Sequence, residues 1–208
     1  MVKRDWRDNC GAVYILVRNS KSIGFLWETD ILEIRPDERG RGYGRLLADF
    51  MVKRSFDEGR SLITIEIAPS SAIPFWKRMG FTPVEARWGH GDGLYAYRRF
   101  ERRLPIGAGS RVYFSIEFST ERGHFSGAAP FFRLEGVGEC LPDGIVQLPE
   151  RVVCFNPENT GGDDFARITV GDKVIFQDKL KRTEGARCGI QRDVGYTYFI
   201  ERIRLPQR

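Results

Sequence analysis

The sequence predicts an α/β domain (a mixed α+β sheet) followed by a mostly β domain, barrel- or sandwich-like. Three observations carry this. Helix and strand signals mix up to residue 104, and strand signals stand almost alone after it. Between the two, Leu104-Pro105-Ile106-Gly107-Ala108-Gly109-Ser110 reads as a linker, dividing the 208 residues into 1–104 and 105–208. The net charge of +5 is also one-sided: residues 1–104 hold 19 Lys+Arg against 14 Asp+Glu, and the remainder is balanced. A phosphate-bearing ligand or acidic partner is therefore sought in the first half.

The first half opens with a hairpin, Ala12–Val17 and Ile23–Trp27, around the turn Asn19-Ser20-Lys21-Ser22. A third strand, Asp30–Arg35, is stopped by Pro36. A helix follows from about Gly44 to Glu58, with Leu46, Leu47, Phe50 and Met51 as its apolar stripe and Gly59 as its end. Leu62–Ile67 is β-branched and mostly apolar, as an inner strand is. Ser71 is placed to cap a short helix, Ala72–Met79, ending at Gly80, with Pro74 tolerated in its first turn. Phe81–Val84 and the segment from Leu94 close the domain as strands.

The second half shows strands at Arg111–Phe118, Phe131–Val137, Val152–Phe155, Ala166–Val170, Lys173–Gln177 and Tyr196–Ile203. Leu141-Pro142-Asp143-Gly144, Asn159-Thr160-Gly161-Gly162 and Gly171-Asp172 separate them as turns. No catalytic constellation is visible there. Thr169–Phe176 resembles the hairpins of small barrels, PUA-like nucleic-acid-binding domains included, but zero net charge argues against a phosphate-binding face.

Composition excludes other classes. Hydrophobic residues at 41% and charged residues at 29% are an ordinary globular balance. No apolar run reaches the roughly 18–20 residues of a membrane helix. Met1–Trp6 is not followed by an apolar signal-peptide core, so a cytoplasmic protein is expected. Cys10, Cys140, Cys154 and Cys188 form no C-x-x-C pair and are read as reduced thiols, with no metal site.

The chemistry-bearing run is Ile31–Leu47: a strand, a loop with alternating glycines, then an amphipathic helix. Such glycines let backbone N–H groups converge, and the helix dipole adds positive field, so an anion such as a pyrophosphate fits. Arg39, Arg41 and Arg45 add side-chain charge. The loop alone also fits a tight turn that binds nothing. A Rossmann site is disfavoured by the antiparallel hairpin before the loop, and a Walker loop is excluded because no Gly-Lys-Ser/Thr follows.

Arg39-Gly40-Arg41-Gly42-Tyr43-Gly44, preceded by Ile34-Arg35-Pro36, resembles the Arg/Gln-x-x-Gly-x-Gly/Ala signature of the GNAT superfamily of acyl-CoA-dependent N-acyltransferases. Downstream, Ala72-Ile73-Pro74-Phe75-Trp76-Lys77-Arg78-Met79-Gly80-Phe81 looks like that family's A-x-x-F-Y-x-x-x-G-F helix. The resemblance covers residues 12–100. It implies a GNAT-like domain with a shortened N-terminus and a V-shaped opening between the strand ending at Ile34 and Leu62–Ile67. Acetyl-CoA is the implied co-substrate. Pantetheine would lie along the backbone near Ile34 and Ala68, and the pyrophosphate on the N–H groups from Arg39 to Arg45. Arg35, Gly40, Arg41, Gly42, Tyr43, Gly44, Ser71 and Trp76 complete the implied cofactor set. The implied activity is transfer of acetyl to an amine by direct attack.

Three departures qualify this. Trp76 stands where the family carries a Tyr that protonates the leaving thiolate. Pro69 replaces a frequent Asn. No room for the family's first strand and two helices exists before Ala12. Glu33 ranks first as the catalytic base, Glu66 second and Glu28 third; each also fits a carboxylate paired with Arg or facing water. His90 and His124 carry less. Residues 105–208 are expected to supply the missing acceptor wall or a homodimer interface, with Gly123–Phe132 as a flexible apolar flap. The rival readings are a non-catalytic acyl-CoA-binding or scaffold module, and a nucleic-acid- or ribosome-associated modifier suggested by the basic first half.

Overall fold

The structure, a computed structural model, describes residues 12–88, 93–158 and 164–206. Cys10, His90 and the Asn159–Gly162 turn lie outside the described residues. The chain divides into two compact units, Met1–Arg99 and Phe100–Arg208.

In the first unit, β1 (Val13–Arg18) and β2 (Lys21–Trp27) form a hairpin, with β3 (Ile31–Ile34) on the other edge of β2. The turn is tighter than the sequence suggests. Arg18 pairs directly with Lys21, and Asn19 and Ser20 take φ of 49° and 60°. Two central residues with positive φ match the right-handed twist of the flanking strands. A 3-10 turn at Pro36–Glu38 leads to α1 (Tyr43–Asp57). Next come β4 (Leu62–Ile67), a 3-10 turn at Ser70–Ala72, α2 (Ile73–Arg78), β5 (Thr82–Trp88) and β6 (Leu94–Arg99). Both helices end in Schellman turns, closed by Arg60 N–H to Ser55 O at 3.1 Å and Phe81 N–H to Trp76 O at 3.1 Å.

Two readings of this unit are corrected. Leu47, Ala48, Met51 and Ser55 are the buried residues of α1, whereas Leu46 is 55% and Phe50 42% exposed. Leu47, Met51 and Ser55 recur every four residues and so share one face, and Leu46 and Phe50 form the next row. Ser71 does not cap α2: it lies inside the 3-10 turn, and Ala72 is the N-cap, without a side-chain bond.

The strands form two separate three-stranded sheets, β1-β2-β3 and β4-β6-β5. β4, read as an inner strand, is an edge strand that among the described residues pairs only with β6. Its apolar character comes from the face bearing Ile63, Ile65 and Ile67, all buried. The split between β3 and β4 positions the site.

The second unit is one curled antiparallel sheet. Its strands are β7 (Ser110–Thr120), β8 (Phe132–Cys140), β9 (Ile145–Cys154), β10 (Asp164–Val170), β11 (Lys173–Lys179), β12 (Ile190–Arg192) and β13 (Tyr198–Arg204). Their order is β11-β10-β7-β8-β9-β13-β12. A side chain on Gly185, in the short helix Thr183–Arg187, would touch Phe176 of β11 and Ile190 of β12, so the terminal strands converge there. Phe114, Ile116, Phe118, Val146, Leu148, Ile168, Ile200 and Ile203 fill the core.

The flexible flap is also corrected. Glu121–Ser126 is a helix whose first turn is capped by Thr120, its Oγ1 accepting the Gly123 N–H at 3.0 Å. Phe131 and Phe132 stack on Phe118, with ring centroids 6.5 and 5.5 Å away, so two of the three phenylalanines join the core of this unit.

The segment read as a linker is tied down. The carboxylate of Glu139, a side chain buried on β8, accepts the N–H groups of Gly107 at 2.5 Å and Gly109 at 2.7 Å. These bonds hold its pKa below the ordinary 4.5. A depressed carboxylate pKa stabilises the fold above the ordinary value, and that contribution fades as pH falls through 4.5 and below. Glu139→Gln is expected to lower stability at neutral pH and to flatten this acid limb. Denaturant midpoints of both proteins between neutral and acidic pH check it, and parallel curves would refute it.

Candidate active site

The site grows out of the split between β3 and β4. Arg35, just past β3, donates its N–H to Ile23 O at 2.9 Å, and Ile34 lies opposite Gly24. Antiparallel strands alternate bonded and non-bonded pairs. Glu33 therefore faces Phe25 as a bonded pair, and the N–H and C=O of Leu32 and Ile34 aim away from β2. The Ile34 carbonyl instead accepts Arg39 Nε at 3.0 Å. Among the described residues β4 pairs only with β6, so its other edge has no strand neighbour. Two sheet edges thus flank one opening.

That opening holds a cavity of about 440 Å³, lined by Asp30, Ile31, Leu32, Glu33, Thr64, Ile65, Glu66, Ala68, Trp76 and Tyr95. A second cavity, about 630 Å³, lies at the glycine loop. It is lined by Ile34, Glu38, Arg39, Gly40, Gly42, Tyr43, Gly44, Arg45, Phe75, Arg78 and Met79.

The loop's geometry follows from its glycines. Gly40 and Gly42 take φ of 76° and 86°. A Cβ at either would meet nothing within 4 Å, so they are needed for backbone conformation rather than for space. Gly42 is the N-cap of α1 and has no side chain to cap its first turn. The early N–H groups of this 15-residue helix are therefore left for a ligand or water.

The arginines around the loop are held by neighbouring carboxylates. Arg39 pairs with Glu33 at 2.5 Å, Arg41 with Glu38 at 2.9 Å and Arg45 with Asp49 at 3.6 Å. Exposed pairs of this kind contribute about 0–1 kcal/mol. Exchanging a carboxylate for a phosphate therefore costs little.

Most residues expected at the site line one of these two cavities. Ile34, Arg39, Gly40, Gly42, Tyr43, Gly44 and Arg45 line the loop cavity, and Glu33, Glu66, Ala68 and Trp76 line the other. Arg41 belongs to the loop and turns to Glu38. Arg35 turns to Asp37 at 2.9 Å, and neither it nor Ser71 lines either cavity. Glu28 is taken up elsewhere, accepting the Ala12 N–H at 2.7 Å and pairing with Arg54 at 2.6 Å. Burial opposes its charge, but those two partners hold its carboxyl below the ordinary range, which makes it a weak base. His124 belongs to the second unit, stacked on Phe165 with ring centroids 3.9 Å apart. Among the described residues, no cluster of three or more His, Cys, Asp or Glu is placed to hold a metal.

Sequence reasoning missed Phe75, Arg78 and Tyr95. Phe75 and Arg78 are three apart on α2 and so share a face, which points to the loop cavity while Trp76 points to the other. Trp76 is fixed edge-on between Phe75 and Phe81, at centroid distances of 5.1 and 5.2 Å. Tyr95 lies directly opposite Glu66 across the β4–β6 pair. Finding it requires the strand register, which no local motif encodes.

A glycine loop that opens a helix beside a split sheet is the arrangement that the sequence resemblance implies. Residues 4–81 match the sequence model of the Acetyltransferase (GNAT) family, so the resemblance read from the loop and the Trp76 helix stands. No curated protein matches the chain. Among solved structures, the chain is similar to a "putative acetyltransferase from Agrobacterium tumefaciens" at 17% identity and a TM-score of 0.32, over 48% of this chain and 85% of that one. No helix among the described residues is long and apolar enough to cross a membrane.

Proposed function

We propose that the first unit transfers an acyl group, acetyl in the simplest case, from acyl-CoA to an amine by direct attack. The observation that carries this is the pairing of an uncapped, glycine-led helix start with two open sheet edges at one split. The residues fit the donor. N–H groups from Gly40 to Arg45, with Arg39, Arg41 and Arg78, suit a pyrophosphate. The edges of β3 and β4 suit the amides of pantetheine, which bond as an added strand would. Coenzyme A supplies the activated thioester, and the remaining work falls to this chain.

The Ile34 N–H aims into the split and is placed to polarise a thioester carbonyl. The acceptor must attack as a free amine, so a base is needed. Glu33 and Glu66 line the cavity from opposite walls, and Glu66 faces Tyr95 directly across the β4–β6 pair. We assign Glu66 as the base. Holding both substrates together replaces covalent catalysis, because a bound amine beside a bound thioester has a high effective concentration.

A second reading has one observation in its favour. Trp76 occupies the position of the family's proton-donating Tyr, and indole N–H is no acid of useful strength. A non-catalytic acyl-CoA-binding module follows if nothing replaces it. Thiol release from acetyl-CoA, measured with and without a diamine, a lysine peptide, a peptide α-amine and an aminosugar, separates the two. The transfer reading expects amine-dependent thiol and an acetylated product. Coenzyme A binding without thiol release for any amine refutes it.

A further inference from the structure

We propose that Tyr95 is the general acid of the acyl transfer, replacing the phenol that Trp76 lacks. This rests on the transfer reading. Glu66 and Tyr95 are directly opposed in the antiparallel β4–β6 register. Opposed residues project from the same face of a sheet, with Cβ atoms about 4.5–5.5 Å apart. Both side chains are half-buried and line the cavity that also contains Ala68 and Trp76. Tyr95 is the one phenol in that lining. On the other face of the same strands Ile67, Leu94 and Ala96 are buried and apolar, and Arg98 is engaged with the Met79 carbonyl. Glu66 and Tyr95 are thus the carboxylate and phenol that this strand pair contributes to the lining of the opening.

The pairing closes the proton balance. The amine nitrogen forms the new N–C bond, and the C–S bond breaks with its electron pair going to sulfur. Nitrogen gives one proton to Glu66, and sulfur takes one from the Tyr95 O–H. The phenolate then regains a proton from its neighbour Glu66. An amide and a free thiol leave, and both side chains end as they began.

The test uses the full chain, acetyl-CoA and the amine panel above. Tyr95→Phe should lower kcat about 100-fold. KM for acetyl-CoA and the thermal stabilisation by coenzyme A should stay unchanged. Trp76→Tyr combined with Tyr95→Phe should recover kcat to within about tenfold of wild type, by returning a phenol to the family's position. Independently of turnover, 3-fluorotyrosine at position 95 should shift its fluorine resonance on binding coenzyme A and not on binding desulfo-coenzyme A, which lacks the sulfur.

Full kcat in Tyr95→Phe overturns the assignment, as does an equal resonance shift with both ligands. Loss of coenzyme A binding in Tyr95→Phe also overturns it, by making the ring a wall of the binding site. If wild type releases no thiol with any amine, the transfer reading fails and this assignment with it. If wild type is active and Tyr95→Phe matches it, this assignment alone fails.

Discussion

Gly42→Asp should abolish the thermal stabilisation that coenzyme A gives the wild-type protein, while Gly42→Asn should keep most of it. A ligand present at about 100 times its Kd stabilises the folded state by about 2.7 kcal/mol. Asp and Asn share size and tolerate positive φ better than other residues, so both tolerate the φ of 86° at modest cost. Space is not at issue, since a Cβ at Gly42 meets nothing within 4 Å. The two variants differ by one negative charge at the N-cap of α1, beside the N–H groups assigned to the pyrophosphate. Differential scanning fluorimetry with and without coenzyme A checks this. An Asp variant that responds like wild type removes the phosphate from this loop.

Gly189→Ala should destabilise the second unit by about 3–5 kcal/mol, the sum of overpacking and backbone strain. Its Cβ would lie 1.9 Å from the Arg202 carbonyl oxygen, at a φ of 104°. Backbone cannot step aside as a side chain can. Arg204 donates to Cys188 O at 3.0 Å, and Ile190 pairs with Ile200 in the core. Relieving the clash must therefore pull β12 from β13. Chemical denaturation followed by the near-ultraviolet signal reads the loss. A midpoint within about 0.5 kcal/mol of wild type would show that this strand end yields freely.

Much of this site was legible because its chemistry is local. Gly40, Gly42 and Gly44 mark the tight loop that opens α1, and the family-like sequence around Trp76 marks α2 beside it. The split between β3 and β4 was not legible from strand patterns: Leu62–Ile67 reads as an inner strand because its buried face faces the core whether or not a neighbour pairs with it. Only the resemblance implied the opening. Leu46 and Phe50 were misplaced because two adjacent apolar rows compete on α1, and packing chooses the row of Leu47 and Met51. In the second unit, Pro149 hid the first half of β9, since a mid-strand proline argues against a strand. Thr120 carried a legible capping signal, and reading the following glycines and phenylalanines as a flap overlooked it. Tyr95 was beyond reach, because the role proposed for it depends on which residue of a distant strand it faces.

In the proposed complex, acyl-CoA lies in the split between β3 and β4. A crystal structure of the full chain with coenzyme A tests it most directly. The expected complex has the pyrophosphate on the N–H groups between Gly40 and Arg45, the pantetheine amides bonded to the strand edges near Ile34 and Ala68, and the sulfur between the Ile34 N–H and Tyr95. Coenzyme A bound elsewhere, or in this loop with its pantetheine arm outside the split, would contradict it.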